Sequence, residues 1–291
     1  MPTTTTADTL NVELAGIDAL EVPVAPAPSR LRRLWSVAWP KLAATGILLL
    51  VWQVIVWLKL KPSWALPGPV PVLRRLITDI DSGVLLRATG NTMQRAAIGY
   101  GIAVLIGSLV GVAVARSKVL RTAIGSLITG LQTMPTIAWF PLTLLLFGLN
   151  ETAILFVVVL GAAPAIANGV ISGVDHIPPL LLRAGRVLGA RGLSAYRHVI
   201  VPASLPGYVA GLKQGWAFAW RSLMAGELLV IIAKKPSLGV RLNFAQQNND
   251  AQALMAAMVV ILIIGIIVDS LFFGRLERTI RRRWGLIDGA V

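Results

Sequence analysis

The sequence predicts an all-α fold that crosses a membrane about six times, and three observations carry that expectation. Hydrophobic residues make up 56% of the 291, and the mean hydropathy is +0.75; a soluble domain has an apolar share of roughly 45–50%. Charged residues account for 14%, against an average of about 25%. Apolar runs of about 20 residues recur along the chain, each long enough to cross a bilayer core of about 30 Å as a helix. A membrane β-barrel would show short alternating segments instead.

Residues 1–36 read as a disordered cytoplasmic tail, since 1–29 are Thr-rich and then Pro/Ala-rich, with no apolar core of a signal peptide. A transmembrane domain over 37–276 and a basic tail over 277–291 follow. The spans fall near 38–58, 88–115, 122–147, 152–173, 205–232 and 252–273. Arg30, Arg32, Arg33, Trp35, Trp39 and Lys41 precede or open the first as an interfacial anchor. The prolines of SWALPGPVPV then exclude a helix and mark an external loop, followed by a short amphipathic segment at 71–81.

The second span carries Gly99, Gly101, Gly107 and Gly111 at helical spacing. The pair Gly107 and Gly111 lets helices approach closely in lipid, and packing within the chain is the stronger reading over a dimer seam. Pro135 breaks the third span, with Pro141 six residues on; this is either a pathway-lining break or a packing kink. The fourth contains Gly161 and Pro164. The fifth holds Glu227 above Trp216, Trp220 and Arg221. A carboxylate in a span is costly and pairs internally or faces a cavity. Arg221 is off the three-or-four spacing of a same-helix pair, and Arg95 of the second span is the other available cation. A structural pair or cavity wall is favoured over a proton relay, because only Asp269, near the inner end of the last span, offers another acid. RLERTIRRRWGL closes the chain as a basic anchor.

Lys and Arg number 27 and Asp and Glu 13, for a net charge of +14. With the N-terminus inside, the inner segments hold 16 of these cations and the outer ones 8, leaving Arg95, Lys213 and Arg221 within spans. That bias obeys the positive-inside rule, places both termini in the cytoplasm, and accounts for the charge without nucleic acid. There is no cysteine, hence no disulfide or thiolate metal site, and His176 and His198 lack a zinc-binding spacing.

The inside loop between the fourth and fifth spans carries LRAGRVLGARGLSAYRHVIVPASLP, residues 182–206. Pro178 and Pro179 suit a helix's first turn. Leu181, Ala184 and Leu188 then recur at spacings of three and four, with Arg183 and Arg186 opposite. Gly189 and Gly192 offer a stop, and Pro202 and Pro206 re-orient the chain. Such a helix, at about 178–192, either lies on anionic lipid or leans on another protein.

The loop resembles the coupling loop of ABC importer permeases, whose pattern is Glu-Ala-Ala, then Gly, then Ile-x-Leu-Pro. Here these positions are Arg183-Ala184-Gly185, Gly189 and Val199-Ile200-Val201-Pro202, so Arg183 replaces the acid and Gly185 the second Ala. GLQTMPTIAWFPLTLLLFGLNETA, GVISGVDHIPPLLLRAGRVLGA, VIVPASLPGYVAGLKQGWAFAWRSLMAGELL and LERTIRRRWGL are similar to the sulfonate, taurine and nitrate subgroup, above all to aliphatic sulfonate permeases. The resemblance covers roughly residues 60–285. It implies a type I importer fold and a homodimer of permeases in a bacterial inner membrane. It also implies two partner ATPases, which hold the ATP and magnesium, and an extracytoplasmic binding protein. Leu181, Arg183, Ala184, Gly185, Leu188, Gly189 and Pro202 would form the coupling element. Arg95, Pro135, Trp139 and Glu227 are candidate pathway walls. No Gly-x-x-x-x-Gly-Lys-Ser/Thr loop is present, so this chain is not the ATPase and binds no cofactor itself. The implied cargo is a small organic anion, an aliphatic sulfonate or taurine, with nitrate or bicarbonate as alternatives. An ion-coupled secondary transporter would show paired halves and a midplane ionisable site, and a membrane enzyme a convergent set of His and carboxylates.

Overall fold

A computed structural model describes residues 30–232 and 235–283. The disorder expected of residues 1–29, Lys234, and the WGL and following residues of the basic C-terminal end lie outside them. The chain divides into two compact units, 1–58 and 59–291.

The first unit holds α1 (Arg30–Trp57), which begins inside the stretch assigned to the tail and runs through Pro40. Pro40 is the eleventh residue of that helix, past its first turn, and removes one interior backbone hydrogen bond. Trp35, Trp39, Leu42, Ile47 and Leu50 are exposed. A helix apolar on all sides needs an apolar solvent, here lipid.

The second unit is built on three long helices. After α2 (Pro69–Asp81) come α3 (Val84–Arg116), the short α4 (Lys118–Thr133) and α5 (Phe140–Phe147), and α6 (Glu151–Asp175). Then follow α7 (Pro179–Val187), one helical turn α8 (Gly192–Ala195), and a π turn Tyr196–Ile200 leading into α9 (Val201–Leu229). Next are α10 (Leu238–Gln247) and α11 (Ala251–Ile267), which continues through the π turn Val268–Phe273 into α12 (Gly274–Arg283). Helix therefore extends into the residues read as the C-terminal tail. No strand occurs among the described residues.

Helix α6 is the most buried, because α3 and α9 pack on it. The α3 contact is made through glycines. A Cβ on Gly107 would sit 2.5 Å from the Ala163 carbonyl, and one on Gly111 2.7 Å from Val170 Cβ. Gly101 faces open space. The pair Gly107 and Gly111 is thus a packing seam within the chain.

A closer seam joins α6 to α9. Gly169 lies on the backbone of Gly211, and a Cβ on Gly207 would fall 2.5 Å from the Gly173 Cα. Two small-xxx-small pairs, Gly169 with Gly173 and Gly207 with Gly211, therefore face each other with backbone on backbone. Above them Trp216 and Trp220 stack at 5.9 Å between centroids, Tyr100 meets Trp216 edge-on, and its hydroxyl donates to the Leu212 carbonyl at 2.8 Å.

Among the described residues four helices are long and apolar enough to cross a membrane: 38–57, 84–116, 151–175 and 251–282. The expected third span is no kinked rod. Residues 118–133 and 136–147 are bent by 103° at Met134 and Pro135, and make a fifth crossing if counted as one. The expected fifth span, α9, has 29 residues, about 43 Å, but Lys213, Arg221 and Glu227 lower its hydropathy. It is absent from the helices that are apolar enough by composition, because its close packing on α6 relieves it of facing lipid all round.

The seam gives a paired expectation. Gly169→Val should lower the stability of the detergent-purified protein by on the order of 2 kcal/mol through overpacking. Gly101→Ala should leave the unfolding midpoint unchanged or raised. Thermal unfolding of both variants, followed by intrinsic fluorescence, checks this.

Candidate functional site

The loop between α6 and α9 folds as its residues require. Pro178 precedes Pro179 at the first position of α7, where a missing N–H is harmless. The helix ends at Gly189, whose φ of +84° suits glycine. The N–H groups of Ala190 and Gly189 donate to the carbonyls of Gly185 and Arg186, at 2.9 and 3.1 Å, closing the last turn.

Gly185 is the inward-facing residue: it is buried, and a Cβ there would lie 2.8 Å from Val199 Cγ2 in the π turn. Glycine at this position lets Val199 seat against the helix backbone. The guanidinium of Arg116 lies 4.4 Å over the Tyr196 ring, tying that turn to the end of α3. Arg121 pairs with Asp175 at 2.9 Å, linking α4 to the start of the loop.

The other face of α7 is open. Leu180, Val187 and Leu188 are 76, 87 and 86% exposed, with Leu193 of α8 beside them in sequence at 81%. Of the expected stripe, Leu181 is also exposed, as are Ala184 and Arg183. Pro202 stands second in α9. Three highly exposed aliphatic side chains on nine residues form a surface that water does not favour.

The second constellation is a buried ion pair. Glu227 is fully buried, and its Oε1 accepts from Arg95 Nη1 at 2.9 Å. Its Oε2 accepts from the Thr92 hydroxyl at 2.9 Å and from the Gly239 N–H at 3.1 Å. Thr92 Oγ1 accepts in turn from the Leu238 N–H at 3.0 Å. The other arm of Arg95 meets Glu151 at 3.3 Å, and Lys235 closes the chain at 2.8 Å from the same carboxylate oxygen. Every bond of Glu227 is charge-assisted, so the buried carboxylate is satisfied.

Arg95, not Arg221, is therefore the partner of Glu227. Neither member presents a surface to a solute in this conformation. Pro135 and Trp139 belong to a different feature, the bend: Pro135 is exposed beside the 3-10 turn Thr136–Trp139, and the Trp139 carbonyl accepts from Thr143 Oγ1 at 2.7 Å. Thr92, Glu151, Lys235 and Gly239 were not legible as members of the network. Thr92 stands three residues before Arg95, one helical step on the same face, and that spacing is the signal that would have found it. Among the described residues no group of three or more His, Cys, Asp or Glu is placed to hold a metal.

Residues 103–282 match the family model of the binding-protein-dependent transport system inner membrane component. The taurine transport system permease protein of Escherichia coli is 29% identical over 229 residues, 77% of this chain and 82% of that one. The nitrate import permease protein of Synechococcus elongatus is 32% identical over 220 residues, 69% and 78% of the two chains. The riboflavin transport system permease protein of Chloroflexus aurantiacus is 30% identical over 265 residues, 90% and 97%. In fold, the chain is similar to a chain of the inward-facing methionine ABC transporter MetNI, with a TM-score of 0.57, at 22% identity, covering 67% of this chain and 95% of that one.

Glu227→Gln should strand the Arg95 guanidinium in the core and cost about 3 kcal/mol. The double replacement Arg95→Leu with Glu227→Leu should fall closer to wild type than either single change does. Unfolding midpoints of the purified variants test both statements.

Proposed function

The chain belongs to the family of binding-protein-dependent transport system inner membrane components, and from that premise we propose that its cargo is a small organic anion, an aliphatic sulfonate or taurine. Members of this family are ABC importer permeases, multi-pass proteins of the inner membrane. They are not enzymes: a separate subunit hydrolyses ATP, and a substrate-binding protein works with the pair. Family membership displaces the ion-coupled secondary transporter as a class.

What supports a docking role for α7 is its exposed face. Leu180, Ala184, Val187 and Leu188 are the outward residues of a helix whose inner side is held by Gly185 on Val199. Burying Val187 and Leu188 in an ATPase cleft would remove two large aliphatic side chains from water, roughly 1.5–3 kcal/mol for each. In this reading two copies of the chain form the pathway, both termini and α7 are cytoplasmic, and Arg183 meets the motor where the family pattern has an acid. ATP-driven closure of the motor subunits moves α7, and α6 and α9 follow.

The anion reading is supported by the taurine relative. Nitrate is the second reading, favoured by the relative at 32% identity. ATP-dependent uptake of labelled taurine into proteoliposomes, insensitive to a protonophore, is the expected result; uptake of riboflavin but of no oxyanion overturns the cargo.

Ala184→Glu should abolish co-purification of the ATPase while leaving the permease monodisperse. Undiminished capture of the ATPase would remove α7 as the docking element.

A further inference from the structure

Arg221 is a charged residue in a membrane-length helix and, unlike the other two cations of the spans, is in no ion pair among the described residues. Its Nε donates to the Ala217 carbonyl at 3.0 Å, and its guanidinium lies 4.7 Å from the centre of the Phe218 ring. Among the described residues no carboxylate is within 4.0 Å of it, although Arg95 of α3 and Lys213 of the same helix are both paired. An unanswered cation at this depth marks a ligand or ion pathway by default.

The cavity beside it is of matching character. About 240 Å³ opens at the bend between α4 and α5, lined by Gln132, Thr133, Thr136, Gly161, Phe218 and Arg221 among others, with no acidic residue in its wall. Gln132 Nε2 is buried without an acceptor. Ser222, completely buried, has an unpartnered hydroxyl, and it adjoins the cavity wall: a Cβ on Gly161 would sit 2.5 Å from its Oγ. Buried polar groups without partners are uncommon and call for an explanation. Arg221 and Gln132 belong to the wall itself, and the Ser222 hydroxyl lies one layer behind it, at Gly161.

We propose that this cavity is an anion-coordinating station of the translocation pathway, with Arg221 as its charge and Gln132 and Ser222 as neutral donors. The proposal rests on the anion reading of the cargo and deepens it by naming residues. A sulfonate or nitrate group carries only acceptor oxygens and would answer the Arg221 charge, with Gln132 and Ser222 as further donors, while a cation would meet a like charge and no carboxylate. The volume is below the roughly 300–1,000 Å³ of pockets for drug-sized ligands, so it suits an oxyanion headgroup rather than a large ring system. The bend creates the space: extended backbone at Met134 and Pro135 ends α4 early and leaves Gln132 at the rim of the gap.

The test uses the full importer, with its ATPase and binding protein, in proteoliposomes supplied with labelled taurine and, separately, nitrate. Each variant is first checked for assembly by size-exclusion chromatography. Arg221→Gln should lower oxyanion uptake about ten-fold or more, as loss of a charge-assisted bond does, and Arg221→Lys should retain most of it. If wild type takes up taurine and assembled Arg221→Gln does so equally well with the same half-saturation, the station is overturned while the anion cargo stands. If wild type imports riboflavin and no oxyanion, the cargo reading fails instead, and the station with it. Should Arg221→Gln not assemble, Gln132→Leu and Ser222→Ala decide: a loss of about three-fold or more in either supports the station, and wild-type uptake in both overturns it.

Discussion

The contact on which most of this structure depends is the one between the backbones of α6 and α9. Lipid offers no hydrophobic force to bring two apolar helices together, so their attraction comes from dispersion and from close approach. Gly169, Gly173, Gly207 and Gly211 permit that approach by having no side chains to hold the helices apart. Dispersion falls off steeply with distance, and a methyl group at any of the four would open the gap along its whole length. The stacked Trp216 and Trp220 and the Tyr100 hydroxyl bond lie further along α9 and exploit the closeness the glycines create.

At the far end of α9 the constraint changes from shape to charge. Glu227 can be buried only because three donors from two distant parts of the chain converge on it: Thr92 and Arg95 of α3 and the Gly239 backbone of α10. Such an arrangement stabilises little compared with apolar residues of equal volume, since desolvation offsets the attraction. Its effect is on uniqueness. Only one register of α3 against α9 brings Arg95 and Thr92 to the same carboxylate, and only a glycine at 239 lets the start of α10 reach it. A second cluster does similar work: Asp79 of α2 receives both Arg75 and Arg241, and Arg75 also pairs with Asp250 before α11.

What could be read from sequence follows the range over which each force acts. Span positions come from local hydropathy, and those of α3, α6 and the α11 region agree with expectation to within a few residues, apart from the continuation into α12. The loop helix was readable because Pro179 and Gly189 set its ends through their own backbone geometry. The Gly107 and Gly111 seam was readable from spacing. Gly169 with Gly173, and Gly207 with Gly211, have the same spacing, but they matter only because they meet, which is a tertiary fact. The ion pair was half legible: the acid announced a need for a partner, while Lys235 lies in a loop, and Gly239 at the start of the helix after it, whose path no periodicity describes. Pro135 announced a break but not its angle, since 103° depends on two successive residues in extended conformation.

The departures at Arg183 and Gly185 acquire different meanings once the loop is built. Gly185 is the position where the π turn comes down on α7, and an added methyl would collide with Val199 at 2.8 Å. That departure is met within the chain: Val199 seats against the bare backbone of Gly185. Arg183 has no such counterpart among the described residues, being exposed on a helix whose outer face also carries Val187 and Leu188. A substitution matched internally concerns how α7 is fastened to α9; a substitution matched by nothing internal concerns whatever α7 touches. Through that fastening a displacement of α7 would bear on α9 by way of the π turn. Helix α9 in turn is locked to α6, and the bend that holds the Arg221 cavity rests on both. Beyond the paired helices the backbone turns through 103° at Met134 and Pro135, so that is where rigid-body movement of the pair would change the shape of a space a solute can occupy.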